Sequence, residues 1–146
     1  MREIKASELK ALLALYEHLH AQDDSLPDPY TIDFVWQYPR VSPHNKYFGI
    51  QRDARLISSC TLTLTPNLTR GCRPYGMIEN VVTGAGFRKR GFAKAVLEKT
   101  LGFSWSSNCC KVMLMTGRTD EAAFRQYESV GFNRYAKQAF GVRLKG

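Results

Sequence analysis

Long apolar runs are missing from this chain, and no leader is expected. No stretch approaches the roughly 20 residues a membrane-spanning helix requires. The opening Met1-Arg2-Glu3-Ile4-Lys5 lacks the apolar core of a secretory signal. A soluble cytoplasmic protein is therefore expected, with no membrane partner. The four cysteines, Cys60, Cys72, Cys109 and Cys110, form no Cys-x-x-Cys pair, and His18, His20 and His44 show no ligand spacing. Reduced, structural thiols and no bound metal are the expectation. Asn67-Leu68-Thr69 matches a glycosylation sequon, which without a secretion signal is read as a chance tripeptide. Internal repeats, long linkers and low-complexity tracts are absent as well.

Acidic residues are in short supply. Thirteen Asp and Glu stand against 21 Lys and Arg, a formal net charge of +8. Nucleic acid would be one partner for such a balance, but neither a recognition helix nor an aromatic-basic surface is evident, and the cations are spread along the chain. Their densest cluster, Arg88-Lys89-Arg90, sits in a turn, so a polyanionic small molecule accounts for the charge better. At 146 residues and 44% hydrophobic content, the chain is long enough for one domain, 1–146, with a real core.

Periodicity supplies the elements. Ile4 falls in a short first strand. Ser7 is placed to cap a helix in which Leu9, Leu12, Leu13, Leu15, Tyr16 and Leu19 recur at helical spacing as far as His20. A loop over 21–29 leads to a short helix over Tyr30–Gln37, and a second loop spans Tyr38–Asn45. Lys46–Gln51 and Leu56–Leu64 read as a hairpin around Arg52-Asp53-Ala54-Arg55. Pro66–Pro74 is a connection, Tyr75–Thr83 a strand, and Gly91 to about Trp105 a helix with Phe92, Ala93, Val96, Leu97, Leu101 and Trp105 on its apolar face. Lys111–Thr116 is a buried strand, Asp120–Val130 a helix, and Phe132–Lys145 holds one or two closing strands.

The segment Ile78–Glu98 carries the chemistry, because an apolar strand there runs through a basic, glycine-bearing turn into a helix. Free backbone N–H groups and the positive end of the helix dipole make such a start an anion site. Two phosphate motifs are excluded. Gly86 and Gly91 have P-loop spacing, but Phe92 and Ala93 stand where its lysine and hydroxyl residue belong. The dinucleotide fingerprint fails because Lys89 replaces the third glycine after Gly84 and Gly86.

What remains, Arg88-x-x-Gly91-x-Ala93, resembles the Arg/Gln-x-x-Gly-x-Gly/Ala signature of the GCN5-related N-acetyltransferase (GNAT) superfamily. Ala123-Phe124-Arg125-Gln126-Tyr127-Glu128-Ser129-Val130-Gly131-Phe132 resembles that family's Ala-x-x-x-Tyr-Glu-x-x-Gly-Phe ending, so the matches cover residues 76–132 in the family's order. The resemblance implies an α/β (α+β) fold with a mixed, mostly antiparallel central sheet of about six or seven strands, flanked by helices on both faces. It implies acetyl transfer from acetyl-CoA to an amine-bearing acceptor, a small molecule by expectation. It implies that the backbone of Val81, Val82 and Thr83 pairs with the pantetheine arm and that Arg88, Lys89, Arg90, Gly91, Phe92, Ala93 and Lys94 surround the pyrophosphate. Dimers are common among similar proteins, so a homodimer is compatible with it.

Transfer to an amine needs a neutral nitrogen and a proton for the departing thiolate. Glu79 is the candidate general base, against a structural ion pair. Strand alternation would put it on one side with Val81 and Thr83, away from Asn80. Tyr127, matched to the family's tyrosine, is the candidate general acid, against plain core packing. Asp120 stands where many relatives have asparagine and offers no amide donor. Gly76-Met77-Ile78-Glu79-Asn80-Val81-Val82 is similar to the Gly-His-Ile-Glu-Asp-hydrophobic stretch of glucosamine-6-phosphate N-acetyltransferases, with Met77 and Asn80 as departures. An acyl-CoA binder without turnover would keep the turn but would not need Glu79 or Tyr127.

Overall fold

The strongest local instruction is the hairpin, where β-branched and apolar residues flank a four-residue polar turn. In the computed structural model, which describes residues 1–20 and 22–142, β2 spans Asn45–Arg52 and β3 spans Arg55–Thr65. Asp53 and Ala54 turn between them with positive φ. Strand β4 (Tyr75–Thr83) pairs antiparallel to β3. The short strands β1 (Arg2–Glu3) and β5 (Val112–Leu114) complete one sheet of order β1-β2-β3-β4-β5, in which only the β4–β5 pair is parallel. Ile4 follows β1, and its amide donates to the Tyr47 carbonyl at 2.7 Å.

Both faces of β3 are covered, so its side chains are buried almost without alternation from Leu56 to Cys60. On one face, helix α1 (Leu9–Tyr16) and helix α2 (Pro29–Val41) close a core of Ile4, Leu12, Leu15, Trp36, Leu56 and Val82. On the other, helix α3 (Phe92–Ser106) packs Val96 and Leu97 against Phe48, Cys60, Leu62, Leu64 and Ile78. Tyr127 of helix α4 (Glu121–Glu128), Val130 and Phe132 join that second core. The mixed sheet with helices on both faces is as expected.

Several sequence expectations are corrected. The sheet among the described residues has five strands, not six or seven, because Phe132–Val142 forms turns and irregular chain. There the Asn133 carboxamide oxygen accepts from the Tyr135 amide, and Tyr135, Phe140 and Val142 are exposed with no strand beside them. Residues 143–145 of that expected segment lie outside the described residues. Ser7 is not a cap: it lies inside a 3-10 turn, Ala6–Glu8, tied off by the Lys5 amide donating to the Glu8 carboxylate at 2.7 Å. Helix α1 ends at Tyr16, short of His20. Helix α2 starts at Pro29, where Asp28 caps it by accepting from the Thr31 amide, and it outruns its expected end at Gln37 to reach Val41 with Pro39 accommodated inside it. Trp105, expected on the apolar face of α3, is 52% exposed. The expected strand Lys111–Thr116 is paired only over Val112–Leu114.

The four cysteines are free thiols, and burial pushes Cys60 up to about 12, which leaves it an inert core residue. No helix among the described residues is long and apolar enough to cross a membrane.

Candidate active site

The site begins where β4 stops obeying strand alternation. Ser59 opposes Val82 and Thr61 opposes Glu79, so Asn80 and Val81 together face the single residue Cys60. That is a β-bulge, and Asn80 makes it with φ of +51°, a left-handed conformation that asparagine tolerates better than most residues. The extra residue flips the pattern. Ile78 and Val81 pack toward α3, whereas Glu79, opposite Thr61, and Val82, in the α1 core, belong to the other face. Glu79, Val81 and Thr83 therefore do not share a side, contrary to the alternation rule.

Next to the bulge the sheet opens. Strand β5 pairs with β4 only at Gly76, Met77 and Ile78, and from Glu79 onward that edge of β4 has no strand beside it among the described residues. The gap leads into a cleft of 860 Å³ walled by β4, the chain after β5, the start of α3 and one side of α4. It brings together Glu79, Val81, Val82, Thr83, Arg88, Lys89, Gly91, Phe92, Ala93 and Tyr127, residues spread over 49 positions of the sequence. Along Val81–Thr83 the edge of β4 away from β3 is open, although the Val82 carbonyl already accepts from Ser58 Oγ and the Thr83 carbonyl from Arg88 Nε, and such an edge is one that an extended amide-bearing arm can join as an added strand.

Farther along the cleft, α3 starts without a side-chain cap, and Gly91 precedes it with φ of +82°. A Cβ at Gly91 would meet no protein atom within 4 Å, so glycine is required there by its backbone conformation, not by crowding within the protein. The first intrahelical bond runs from the Ala95 amide to the Gly91 carbonyl at 3.0 Å, leaving the amides of Phe92, Ala93 and Lys94 free for an anion. Lys89 lines the cleft beside them. Arg90 and Lys94 do not line it: the Arg90 guanidinium lies over the Phe87 ring, 6.0 Å from its centroid, and Lys94 approaches Glu98 at 3.8 Å. Arg88 is engaged with two backbone carbonyls, those of Thr83 and His18.

The candidate acid and base both reach the cleft. Glu79 is exposed on β4 and makes no ion pair among the described residues, so the structural ion pair weighed against a catalytic role is not formed there. Tyr127 is half-buried, with its ring against the α3 core and a place on the cleft wall. Asp120 is the N-cap of α4: it accepts from the Ala123 amide at 2.9 Å and from Arg118 Nε at 3.0 Å, which holds its carboxyl below the usual range. Arg134 fastens the same helix, reaching Glu121 at 2.9 Å and Glu128 at 2.7 Å.

The chain as a whole resembles known proteins. The profile of the Acetyltransferase (GNAT) family matches residues 10–132. This chain belongs to the GNAT family. It is 30% identical to a glucosamine 6-phosphate N-acetyltransferase of Trypanosoma brucei brucei, over 94% of this chain and 91% of that one. A solved structure from Agrobacterium tumefaciens strain C58, described as an acetyltransferase, is 36% identical and superposes with a TM-score of 0.91, covering 98% of each chain. A Trypanosoma brucei acetyltransferase superposes at 0.79 with 28% identity, over 99% of this chain and 96% of that one. The GNAT chain is thus an acetyltransferase, and its family takes acetyl-CoA with amine acceptors.

Sequence reasoning missed part of the GNAT cleft. His18, Leu19 and His20 line it from the end of α1, although their spacing gave no sign of a role. Met115, Thr116, Gly117 and Arg118 line it from the chain beyond β5, and Gln126 from α4, with its Nε2 buried and unpaired. Nothing in the local sequence marks these residues, since tertiary packing alone brings them to the cleft.

Proposed function

We propose that this GNAT protein moves an acetyl group directly from acetyl-CoA to a primary amine, with Glu79 as general base and Tyr127 as general acid. The observation that carries the reading is the convergence of Glu79 from β4 and Tyr127 from α4 on one cleft that also holds the free helix start. The thioester end of the cosubstrate would lie in the β4–β5 gap, its amides along Val81–Thr83. Its pyrophosphate would lie on the amides of Phe92, Ala93 and Lys94, with Lys89 beside it and Arg90 and Lys94 adding only to the surrounding positive field.

In this reading Glu79, exposed and uncommitted to an ion pair, accepts a proton from the incoming ammonium, directly or through water. The neutral nitrogen attacks the thioester carbon, so a C–N bond forms as the C–S bond breaks. Once bonded to carbon the nitrogen is cationic and sheds its second proton; the Tyr127 O–H gives its proton to the departing thiolate and is reprotonated by an equivalent of that second proton, while Glu79 returns the first to solvent. The face on which Glu79 lies is that of α1, so the amine would enter between β4 and the His18–His20 segment.

A second, narrower reading has the acceptor as an amino-sugar phosphate. It is supported by the Trypanosoma brucei brucei relative's description as a glucosamine 6-phosphate N-acetyltransferase. Met77 and Asn80 are where the resemblance to such enzymes departs. Calorimetry with acetyl-CoA followed by thiol release over an amine panel tests both readings: no binding would end the first, and turnover of other amines with none of glucosamine 6-phosphate would end the second.

A further inference from the structure

Arg88 opens the Arg-x-x-Gly-x-Ala turn, yet its guanidinium reaches backward instead of toward the helix start. Nε donates to the Thr83 carbonyl at 3.2 Å, and one terminal nitrogen donates to the His18 carbonyl at 3.1 Å. The first carbonyl belongs to the last residue of β4, the second to the turn after α1, 70 positions away in sequence. The β4 end of this connection is anchored in the sheet. Thr83 Oγ1 and the buried Ser58 Oγ are 2.9 Å apart, and Ser58 also donates to the Val82 carbonyl at 3.0 Å.

The other end is held less well. The turn is closed by the His18 amide on the Leu15 carbonyl at 3.1 Å and the Leu19 amide on the Tyr16 carbonyl at 2.8 Å. Among the described residues, Arg88 is the only side chain hydrogen-bonded to Glu17–His20. His18, Leu19 and His20 wall the cleft on the Glu79 face. Leu19 packs against the α1 core, whereas His18 is exposed and, with Phe87, borders a second cavity of 410 Å³ between α1, the β2–β3 turn and Gly84–Phe87.

We propose that Arg88 is a positioning residue for the acceptor, a strap that fixes the His18–His20 wall against the end of β4. The inference rests on the reading that the Glu79 end of the cleft receives the amine. A planar guanidinium satisfies two carbonyls that converge from different elements, whereas a lysine ammonium, a point charge on a flexible stem, would hold one at best. Since Gly91 follows three residues later, the strap also ties the acceptor wall to the turn that forms the phosphate cradle.

Hydrogen-deuterium exchange on the full chain, comparing wild type with Arg88→Lys and Arg88→Ala, tests this directly. The amides of His18 and Leu19 should exchange about tenfold faster in Arg88→Ala and by an intermediate factor in Arg88→Lys. Amides of β3 and α3 should keep their protection, which reports that the fold is intact. With an amine identified from the panel, Arg88→Ala should raise the acceptor KM by a larger factor than the acetyl-CoA Kd, and Arg88→Lys should recover part of the loss. Unmoved exchange at His18 and Leu19, or an acetyl-CoA Kd weakened more than the acceptor KM, would overturn the strap. Failure of wild type to bind acetyl-CoA at all would instead overturn the acetyl-transfer reading, and calorimetry separates the two outcomes.

Discussion

Glu79 and Val81 are two residues apart in β4 and face opposite sides of the sheet. The bulge at Asn80 is the cause, and it gives the strand two duties: Val81 packs toward α3 while Glu79 looks into the cleft from the α1 side. Asn80 carries the backbone cost, with φ of +51°. Asn80→Val should therefore lose about 1–3 kcal/mol in urea unfolding, because a β-branched residue resists the left-handed region. Asn80→Gly should cost far less. Equal losses for the two substitutions would show that the side chain, not the backbone conformation, matters there.

The proposed acid and base predict different kinetic signatures. Glu79→Gln should lower kcat/KM by about 10²–10³ at neutral pH, and the loss should shrink as the pH rises and the free amine becomes abundant. Tyr127→Phe should lower kcat by about 10² while leaving the acetyl-CoA Kd nearly unchanged, since the ring still packs against the α3 core. Stopped-flow thiol release with calorimetry on the same samples measures both. Unaltered turnover in either variant would remove that residue from the mechanism.

The strand, turn and helix from Tyr75 to Ser106 were legible because each is specified locally: an apolar run, Gly91 at a left-handed position, then apolar residues at helical spacing. Asn80 was not, since one residue inserted into a strand leaves a pattern that still reads as alternation. The position of His18 and His20 on the cleft was hidden for another reason. Their place on the cleft is set by how α1 docks on the sheet through Leu12 and Leu15, which no local spacing encodes. The closing strands expected after Phe132 do not form over Phe132–Val142, because the strand propensity of a segment does not supply a sheet edge to receive it. Arg88 stood in the expected motif, but only the folded chain shows its guanidinium on the His18 carbonyl.

Gly91 separates backbone strain from cofactor fit. With φ of +82° and no protein atom near a built Cβ, Gly91→Ala should cost about 1–2 kcal/mol of stability from conformation alone. Its effect on acetyl-CoA should be larger, because the substituent would project at the helix start where the pyrophosphate is proposed to lie. A Kd weakened more than tenfold in calorimetry, with a modest shift in the urea midpoint, is the expected result. Undiminished affinity would argue that the phosphates lie elsewhere.

Glu8 supplies a prediction in pH. Arg2 meets its carboxylate through two hydrogen bonds of 2.7 Å, the Lys5 amide adds a third, and Gln51 Nε2 also donates to it. The Arg2 hydrogen bonds above all hold the Glu8 carboxyl at about 2, against an ordinary value of 4.5. A carboxyl depressed by folding stabilises the native state above its unfolded value, and that contribution falls as the pH drops from 4.5 toward about 2. Glu8→Gln removes the titration. The melting temperature of wild type should exceed that of Glu8→Gln at pH 6, and the gap should narrow steadily below pH 4.5 as the unfolded chain takes up the proton. Parallel curves over that range would mean that the Arg2–Glu8 contact, which joins β1 to the turn before α1, adds nothing to stability.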